Sequence, residues 1–250
     1  MSEVGTVADI RSVDDPPGVE NPMWEIVRRV PGETLSSSLW GPARRWEPNG
    51  YMTGPEGVGR SRHEMCERYA WAIADPVSVA FVVEHAGPRV VEVGAGLGYW
   101  AWQLAQRGLD VLAYDRHPPD TRPNHYHSPE RTEDGEPKGL RPTWHPVLQA
   151  ADADASAVHP DRTLILCWPP YAAPMAADTL AAYTGDRLIY IGEGPGGCTG
   201  DDRFHRMLGF AGWDEDEPNP AAGWREVAEH VPVQWWGIHD RITVYDRVPQ

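Results

Sequence analysis

Two carboxylates and a short run of glycines are the residues of this sequence best suited to ligand chemistry. Glu92, Gly94, Gly96 and Gly98 form the pattern ExGxGxG at the end of the apolar run RVVEV, and Asp115 directly follows the next apolar run, DVLAY. Glycines at such a turn let the backbone approach a ligand, and the helix that follows offers free N–H groups. A carboxylate about 20 residues beyond the glycines can accept hydrogen bonds from ribose hydroxyls. The spacing therefore predicts a small-molecule site at the ends of two strands.

The glycine spacing also indicates which ligand this site takes. A dinucleotide fingerprint, GxGxxG, would need glycine at the position of Tyr99. ExGxGxG instead resembles motif I of the class I S-adenosylmethionine (SAM) dependent methyltransferases, and the resemblance covers roughly residues 88–250 in architecture. It implies SAM as the cofactor, with Glu92 at its amino acid end and Asp115 on its ribose diol.

By the same resemblance, an acid after the third strand, predicted at TWHPVL, would lie near the adenine. Asp152 is our prediction for that role, and Asp154 is almost equally placed. The predicted cofactor residues are thus Glu92, Gly94, Ala95, Gly96, Gly98, Asp115 and Asp152.

A second motif follows the apolar run TLILC. Trp168-Pro169-Pro170-Tyr171 is similar to the (Asp/Asn/Ser)-Pro-Pro-aromatic motif of methyltransferases that act on amino groups of nucleic acid bases or glutamine. Trp168 replaces the polar first residue and so removes one hydrogen-bond acceptor, which counts against adenine or amide methylation. The Pro169 carbonyl and the Tyr171 ring could still frame a nitrogen, whereas twin prolines are also a plain way to stop a strand.

Two further segments carry candidate acceptor residues. The glycine-rich run GEGPGGCTGDDRFH, residues 192–205, could close over a ligand. The pair Trp235-Trp236 could form a cage for a cationic group beside the acids of that run, Glu193, Asp201 and Asp202. This combination predicts a small, cationic or amine-bearing acceptor. The alternatives are an ordinary helix cap for the acids and core positions for the tryptophans. The predicted acceptor residues are Trp168, Pro169, Tyr171, Glu193, Asp201, Asp202, Trp235 and Trp236. The predicted catalytic residues are Tyr171, His205 and His239, of which the two histidines could carry a proton.

Metals and nucleic acids are disfavoured partners. His117, His125 and His127 have irregular spacing without a metal-ligand signature, so we predict no metal. With 22 Lys and Arg against 37 Asp and Glu, the formal net charge is −15, which repels phosphate backbones. The three cysteines are far apart, and no apolar run has the roughly 18 residues of a membrane span. We therefore expect a cytoplasmic protein, and the scarcity of lysine suggests a bacterial source.

Alternating apolar runs and helical patterns predict an α/β fold. The strands are RVVEV, DVLAY, TLILC, RLIYIG and a last strand in ITVYDRV, with helices in YWAWQLAQR and PMAADTLAAY. The fold class is a Rossmann-like doubly wound sheet, to which the resemblance adds the class I methyltransferase type with a final antiparallel strand. Residues 116–141 are too polar and broken for a packed element and are expected to form a mobile excursion.

Three parts of the chain are distinguished by pattern. Residues 1–20 read as a mobile tail, residues 21–87 as an N-terminal helical cap and residues 88–250 as the SAM-binding domain. The cap contains a short helix from Asn21, a helix from Ser61 to Ala74, and a helix capped by Asp75 that ends near Gly87. These helices could form a homodimer contact, and we predict that they form a lid over the cofactor between Tyr51 and Trp71.

The predicted function is transfer of the SAM methyl group to a nitrogen or oxygen of a small metabolite, with natural-product biosynthesis as one setting. One alternative is an amino-group methyltransferase acting on RNA, DNA or protein. The other is a methyltransferase-like subunit without activity that binds a partner through its tryptophans.

Overall fold

Strands and helices alternate along most of the chain, as the periodicity predicts. The computed structural model describes residues 9–35, 45–49, 62–212 and 223–249. The described elements are α1 (Pro22–Val27), β1 (Gly32–Leu35), β2 (Arg45–Pro48), α2 (Arg62–Arg68), α3 (Pro76–Ala86), β3 (Arg89–Val93), α4 (Tyr99–Ala105), β4 (Asp110–Asp115), β5 (Glu130–Arg131), β6 (Pro137–Lys138), β7 (Val147–Gln149), α5 (Asp152–Ala157), β8 (Thr163–Cys167), α6 (Met175–Ala182), β9 (Arg187–Gly192), α7 (Asp202–Met207), β10 (Trp224–His230) and β11 (Arg241–Arg247).

Seven of these strands form one sheet, in the order β10-β11-β9-β8-β3-β4-β7. Neighbours are parallel from β9 to β7, whereas β11 runs antiparallel to both β9 and β10. This is the predicted Rossmann-like sheet of the class I methyltransferase type, with its final antiparallel strand. The chain leaves β3 towards β4 on one side and later returns to β8 on the other. Ligands bind at such a switch point, beyond the carboxyl ends of the strands.

The central strand β3 is apolar because both of its faces are covered. Val90, Val91 and Val93 are at most 1% exposed, as expected for a parallel strand with helices on each side of the sheet. One face packs against α1, α3 and α4, and the other against α5 and α6. The turn that follows β3 is therefore held on a rigid support.

The helices are short and are set by local signals. Asp75 caps α3 by accepting hydrogen bonds from the backbone N–H groups of Val77 and Ser78, and Pro76 occupies the first helical position. The helix ends before Gly87, whose φ is 69°. Both ends of α3 agree with the prediction. In the part of the chain that the structure describes, no helix is long and apolar enough to cross a membrane.

The N-terminal residues share a core with the sheet. Met23 and Trp24 of α1 are fully buried in the cluster that also contains Val90 and Ile242. Residues 9–20, which we expected to form a mobile tail, are mostly exposed but are joined to the chain around α4 at two points. The Glu20 carbonyl accepts hydrogen bonds from the side-chain amides of Gln103 (2.8 Å) and Gln106 (3.0 Å), and Asp15 pairs with Arg107. The boundaries at residues 21 and 88 remain predictions, since no separate core divides the described residues there.

Two other N-terminal expectations change. The helix predicted from Ser61 to Ala74 is shorter, because α2 ends at Arg68 and residues 71–72 form a bend. Strands β1 and β2 pair antiparallel within a stretch that lacks any strand pattern in the sequence. Ser61 and Tyr51 lie outside the described residues.

Residues 116–141, here called the flap, pack over the carboxyl ends of the strands. Asn124, His127 and Ser128 are buried. The Ser128 hydroxyl donates to the Gly139 carbonyl (3.0 Å) and the Arg141 Nε donates to the His127 carbonyl (2.7 Å). The expectation that this segment is too polar to pack is wrong, because its polar groups bond to one another instead of needing an apolar core.

Candidate functional site

A cavity of about 790 Å³ opens at the carboxyl ends of β3, β4 and β8. Its volume lies within the roughly 300–1,000 Å³ typical of small-molecule sites. The turn after β3, the flap, the start of α5 and the turn after β8 all contribute to its walls. The predicted site residues that line it are Glu92, Gly94, Ala95, Gly96, Asp115, Asp152, Trp168, Pro169 and Tyr171.

The turn after β3 needs glycine for conformation and for space. Gly94 and Gly96 have φ values of 75° and 54°, which side-chain-bearing residues rarely adopt. A Cβ atom on Gly94 would lie 2.6 Å from the Met175 Cε, and one on Gly96 would collide with the His127 imidazole. Gly98 lies outside the cavity and starts α4 in the left-handed conformation, so it shapes the turn without facing the ligand space.

Asp115 is held rigidly at the end of β4. Its Oδ2 accepts a hydrogen bond from the Gly96 backbone N–H (2.9 Å), and its Oδ1 accepts one from the His117 backbone N–H (2.8 Å). The Asn124 Nδ2 also donates to Oδ1, at 3.5 Å. A carboxylate oxygen can accept about two hydrogen bonds, so Oδ2 keeps capacity for a ligand hydroxyl. Burial raises the pKa of Asp115.

Glu92 is 2% exposed and lies in the same cavity. Its Oε2 accepts a hydrogen bond from the Ala101 backbone N–H in α4 (3.0 Å). Burial raises the pKa of Glu92 to about 8, and the nearby Asp115 carboxylate adds to this shift. A carboxyl group in this state favours a ligand that brings positive charge, because a cation stabilises the ionised form.

The structure distinguishes the two acids after β7. Asp152 is buried at the start of α5 and lines the cavity, where its Oδ2 accepts a hydrogen bond from Arg116 Nη2 (3.0 Å). Asp154 is exposed and lies outside the cavity wall. Asp152 is therefore the acid positioned to meet a ligand.

Trp168 is fixed in an uncommon backbone conformation at the end of β8. Its φ is 50°, a left-handed value that is rare for a bulky residue. Its indole Nε1 donates to the Asp240 Oδ1 (2.7 Å), and burial raises the pKa of Asp240 to about 7. Tyr171, two residues beyond Pro169, is 67% exposed at the cavity wall.

The predicted acids of the 192–205 run face away from the cavity. Glu193 is buried, and its two carboxylate oxygens accept hydrogen bonds from the backbone N–H groups of Cys198 (2.7 Å) and His239 (2.8 Å). It therefore ties two loops together. His239 has an exposed side chain and does not line the cavity.

The other predicted residues of this run are structural as well. Asp201 caps α7 by accepting a hydrogen bond from the Phe204 backbone N–H (2.9 Å), and Asp202 is exposed in the first turn. His205 is buried with its Nε2 2.9 Å from the Thr199 carbonyl oxygen. None of the three predicted residues lines the cavity, and Asp201 takes the position of an ordinary helix cap.

The predicted tryptophan cage is also absent from the cavity wall. Trp235 is 1% exposed and belongs to the core, while Trp236 is 46% exposed and lies outside the cavity. The two neighbouring indoles point into different environments. They cannot enclose one acceptor.

Several residues that sequence reasoning did not place in the site line the cavity, among them Arg62, Tyr126 and His127, and Trp71 of the predicted lid lines it as well. His127 is buried with no hydrogen-bond partner at Nδ1 among the described residues, and burial lowers its pKa to about 4. No motif marks these positions. The histidines of the flap were considered in the sequence analysis only as possible metal ligands. No group of three His, Cys, Asp or Glu among the described residues is arranged to hold a metal.

Strand order, glycine turn and the two strand-end carboxylates together give the chain the class I methyltransferase architecture. No protein-family model matches the sequence. A 33-residue segment, 13% of the chain, is 58% identical to ribosomal RNA large subunit methyltransferase M of Azoarcus sp. (strain BH72) and covers 9% of it. A 67-residue segment, 25% of the chain, is 40% identical to protein-L-isoaspartate O-methyltransferase of Methylorubrum extorquens (strain PA1) and covers 25% of it.

Two solved structures are similar at low identity. Magnesium protoporphyrin IX methyltransferase (ChlM) from Synechocystis PCC 6803 with bound SAM is 17% identical, with a TM-score of 0.42, over 69% of this chain and 77% of that one. The antibiotic-resistance methyltransferase Kmr is 14% identical, with a TM-score of 0.34, over 69% of this chain and 93% of that one. The fold assignment rests on the strand order itself.

Proposed function

We propose that the chain is a SAM-dependent methyltransferase that methylates a nitrogen or oxygen of a small molecule. The observation that carries this proposal is the placement of Glu92 and Asp115. They lie on adjacent parallel strands, on either side of the glycine turn, and both line one cavity. The two relatives named above are methyltransferases, and short segments of this chain are similar to them, which agrees with the proposal.

The chemical character of the cavity fits SAM. The cofactor carries an amino acid, a ribose and an adenine, and the chain offers a polar group for each: Glu92, Asp115 and Asp152 respectively. The Asp115 Oδ2 retains acceptor capacity for a ribose hydroxyl. The unpartnered Nδ1 of His127 beside the glycine turn is a further buried polar atom that a ligand group can satisfy.

When bound, SAM would supply a methyl group already activated by its sulfonium. The chain has to hold the acceptor in line, exclude water and let the acceptor lose one proton. The flap covers the strand ends, and Trp168 and Tyr171 stand on the wall after β8. Tyr171 remains our candidate for contact with the acceptor group that loses the proton. We no longer propose His205 and His239 for this role, because they do not line the cavity.

Two features support a small acceptor over a nucleic acid. The flap and Trp71 line the space that a base would have to enter, and the formal net charge of −15 opposes a phosphate backbone. In addition, Trp168 occupies the position at which the amino-group methyltransferase motif has a hydrogen-bond acceptor side chain, so this acceptor is missing here.

Calorimetry with S-adenosylhomocysteine tests the cofactor, and SAM with a deuterium-labelled methyl group tests the acceptor. We expect tight binding of S-adenosylhomocysteine and transfer of the label into a small molecule of a bacterial metabolite extract, read by mass spectrometry. Absence of S-adenosylhomocysteine binding would remove the proposed function. Label found only in RNA or protein would replace the small acceptor with the alternative class.

A further inference from the structure

One arginine of the cavity wall has two nitrogens without a hydrogen-bond partner among the described residues. Arg62, the first residue of α2, lines the cavity, and its Nε and Nη2 are buried without a hydrogen-bond partner among the described residues. A buried donor without a partner costs free energy, and more so when it is charged. A ligand that accepts from both nitrogens would recover that cost.

Arg62 is surrounded by flat apolar surface. Its Cζ lies 4.9 Å from the centre of the Trp168 ring and 5.3 Å from that of Trp71, and the two indoles stack at 5.4 Å. Tyr126 of the flap meets Trp71 edge-on at 6.0 Å. We call Arg62, Trp71, Tyr126 and Trp168 the arginine wall. Arg62, Trp71 and Trp168 lie together beside the turn after β8, the predicted methyl-acceptor turn.

The acids near this wall make no ion pair with Arg62 among the described residues. Asp240 accepts a hydrogen bond from Trp168 at Oδ1, and its Oδ2 has no hydrogen-bond partner in the described part of the chain. The positive charge of Arg62 opposes the burial that raises the pKa of Asp240, but no direct bond joins the two side chains. Glu193 is satisfied by two backbone N–H groups. Glu92 and Asp115 are the residues that the proposed function assigns to the cofactor. Arg62 therefore keeps its charge available to the cavity.

We propose that Arg62 binds a carboxylate of the methyl acceptor, and that the acceptor is a small organic acid with a planar body. The inference rests on the proposed function and names its substrate class. A guanidinium matches a carboxylate with two parallel hydrogen bonds, and indole and phenol rings pack on flat groups. A single arginine suits a monoanion better than a phosphate, because the same cavity is already lined by four acids, Glu92, Asp115, Asp152 and Asp178. This replaces the amine-bearing acceptor predicted from the sequence, whose acids lie outside the cavity.

The test compares three probes of one shape on protein saturated with S-adenosylhomocysteine: benzoate, benzamide and benzylamine. We expect benzoate to bind at least tenfold more tightly than the other two. Arg62→Met should abolish this preference and leave the affinity for S-adenosylhomocysteine unchanged, while Arg62→Lys should keep part of it. Arg89→Met is the matched control, because Arg89 is exposed, pairs with Asp161 and lies outside the cavity.

Each other outcome has a distinct meaning. Equal binding of the three probes, or preference for benzylamine, would overturn the proposal. A loss of S-adenosylhomocysteine binding in Arg62→Met, with wild-type circular dichroism, would assign Arg62 to the cofactor and also overturn it. Failure of the wild-type protein to bind S-adenosylhomocysteine would instead contradict the proposed function, and the benzoate preference can then be measured on the free protein.

Discussion

Asp115 and Asp154 provide a matched pair for testing the cofactor site at the scale of single residues. Asp115 lines the cavity with both oxygens oriented by backbone N–H groups, whereas Asp154 is exposed outside it. We expect Asp115→Ala to weaken S-adenosylhomocysteine binding by about 1.5–3 kcal/mol, the value of a hydrogen bond to a charged group. Asp154→Ala should bind normally in the same calorimetric titration. Wild-type affinity in a folded Asp115→Ala protein would exclude Asp115 from the site.

Glu92 makes cofactor binding depend on protons. With its pKa raised to about 8, Glu92 is mostly protonated in the free protein at pH 7. A bound ammonium group stabilises the ionised carboxylate and lowers that pKa, so binding should release a proton and become tighter as the pH rises towards 8. Titrations at pH 7 in two buffers of different ionisation enthalpy measure the release. Glu92→Gln should eliminate it, and an unchanged release in that variant would show that another group loses the proton.

At the scale of elements, the flap is expected to respond to the ligand. It contributes Asn124, Tyr126 and His127 to the cavity wall. On addition of S-adenosylhomocysteine we expect slower amide hydrogen exchange in residues 117–128 and around Trp71, because a ligand beneath these segments opposes their local opening. Peptides from β10, at the far edge of the sheet, should not change. Protection confined to the turn after β3 would leave the flap without a role in binding.

The strands differ in how well the sequence announces them. β3 and β8 are mostly buried and rich in Val, Leu and Ile, so their sequences predict strands directly. β10 was missed because it is an edge strand whose sequence, WREVAEH, has several exposed polar residues. The flap was misread for a related reason: its structure depends on hydrogen bonds between polar groups, which produce no hydrophobic period.

The candidate site was predictable where a motif fixes the backbone and not where contacts come from distant segments. Gly94, Gly96 and Asp115 lie where the sequence predicts, because the turn requires glycine at positive φ and Asp115 bonds to its backbone. Trp235 and Trp236 have the same residue type, yet one is core and the other exposed, a difference that sequence spacing does not contain. Arg62 reaches the cavity only through the packing of α2 against the turn after β8.

At the scale of the whole molecule, residues before the sheet contribute to the core that supports the site. Trp24 is fully buried, and its indole Nε1 donates to the Val13 carbonyl (2.9 Å), so that the first described residues are held under α1. The Tyr99 hydroxyl, at the start of α4, donates to Asn21 Oδ1 (2.7 Å). The N-terminal segment and the helix after the glycine turn are thus joined by buried hydrogen bonds.

The ion pair between Asp15 and Arg107 tests this connection. Their side chains are 8% and 7% exposed, and burial raises the pKa of Asp15 and lowers that of Arg107 despite their pairing. The pair therefore adds little net stability, but removing one partner leaves a buried charge. We expect Asp15→Asn to lower the free energy of unfolding in urea by about 3–5 kcal/mol, and the double variant with Arg107→Met to lose less than the sum of the single losses.

An exposed pair calibrates that result. Arg89 and Asp161, at the start of β3, have side chains that are 50% and 48% exposed, and breaking such a pair typically costs about 0–1 kcal/mol. Asp161→Asn should therefore change the free energy of unfolding far less than Asp15→Asn. If the two single variants lose equal stability, the buried pair of Asp15 and Arg107 does not contribute more to the free energy of unfolding than an exposed pair does. The connection between the N-terminal segment and α4 would then be unimportant for stability. If only Asp15→Asn is strongly destabilised, its affinity for S-adenosylhomocysteine should fall as well, because α4 carries the backbone N–H that holds Glu92.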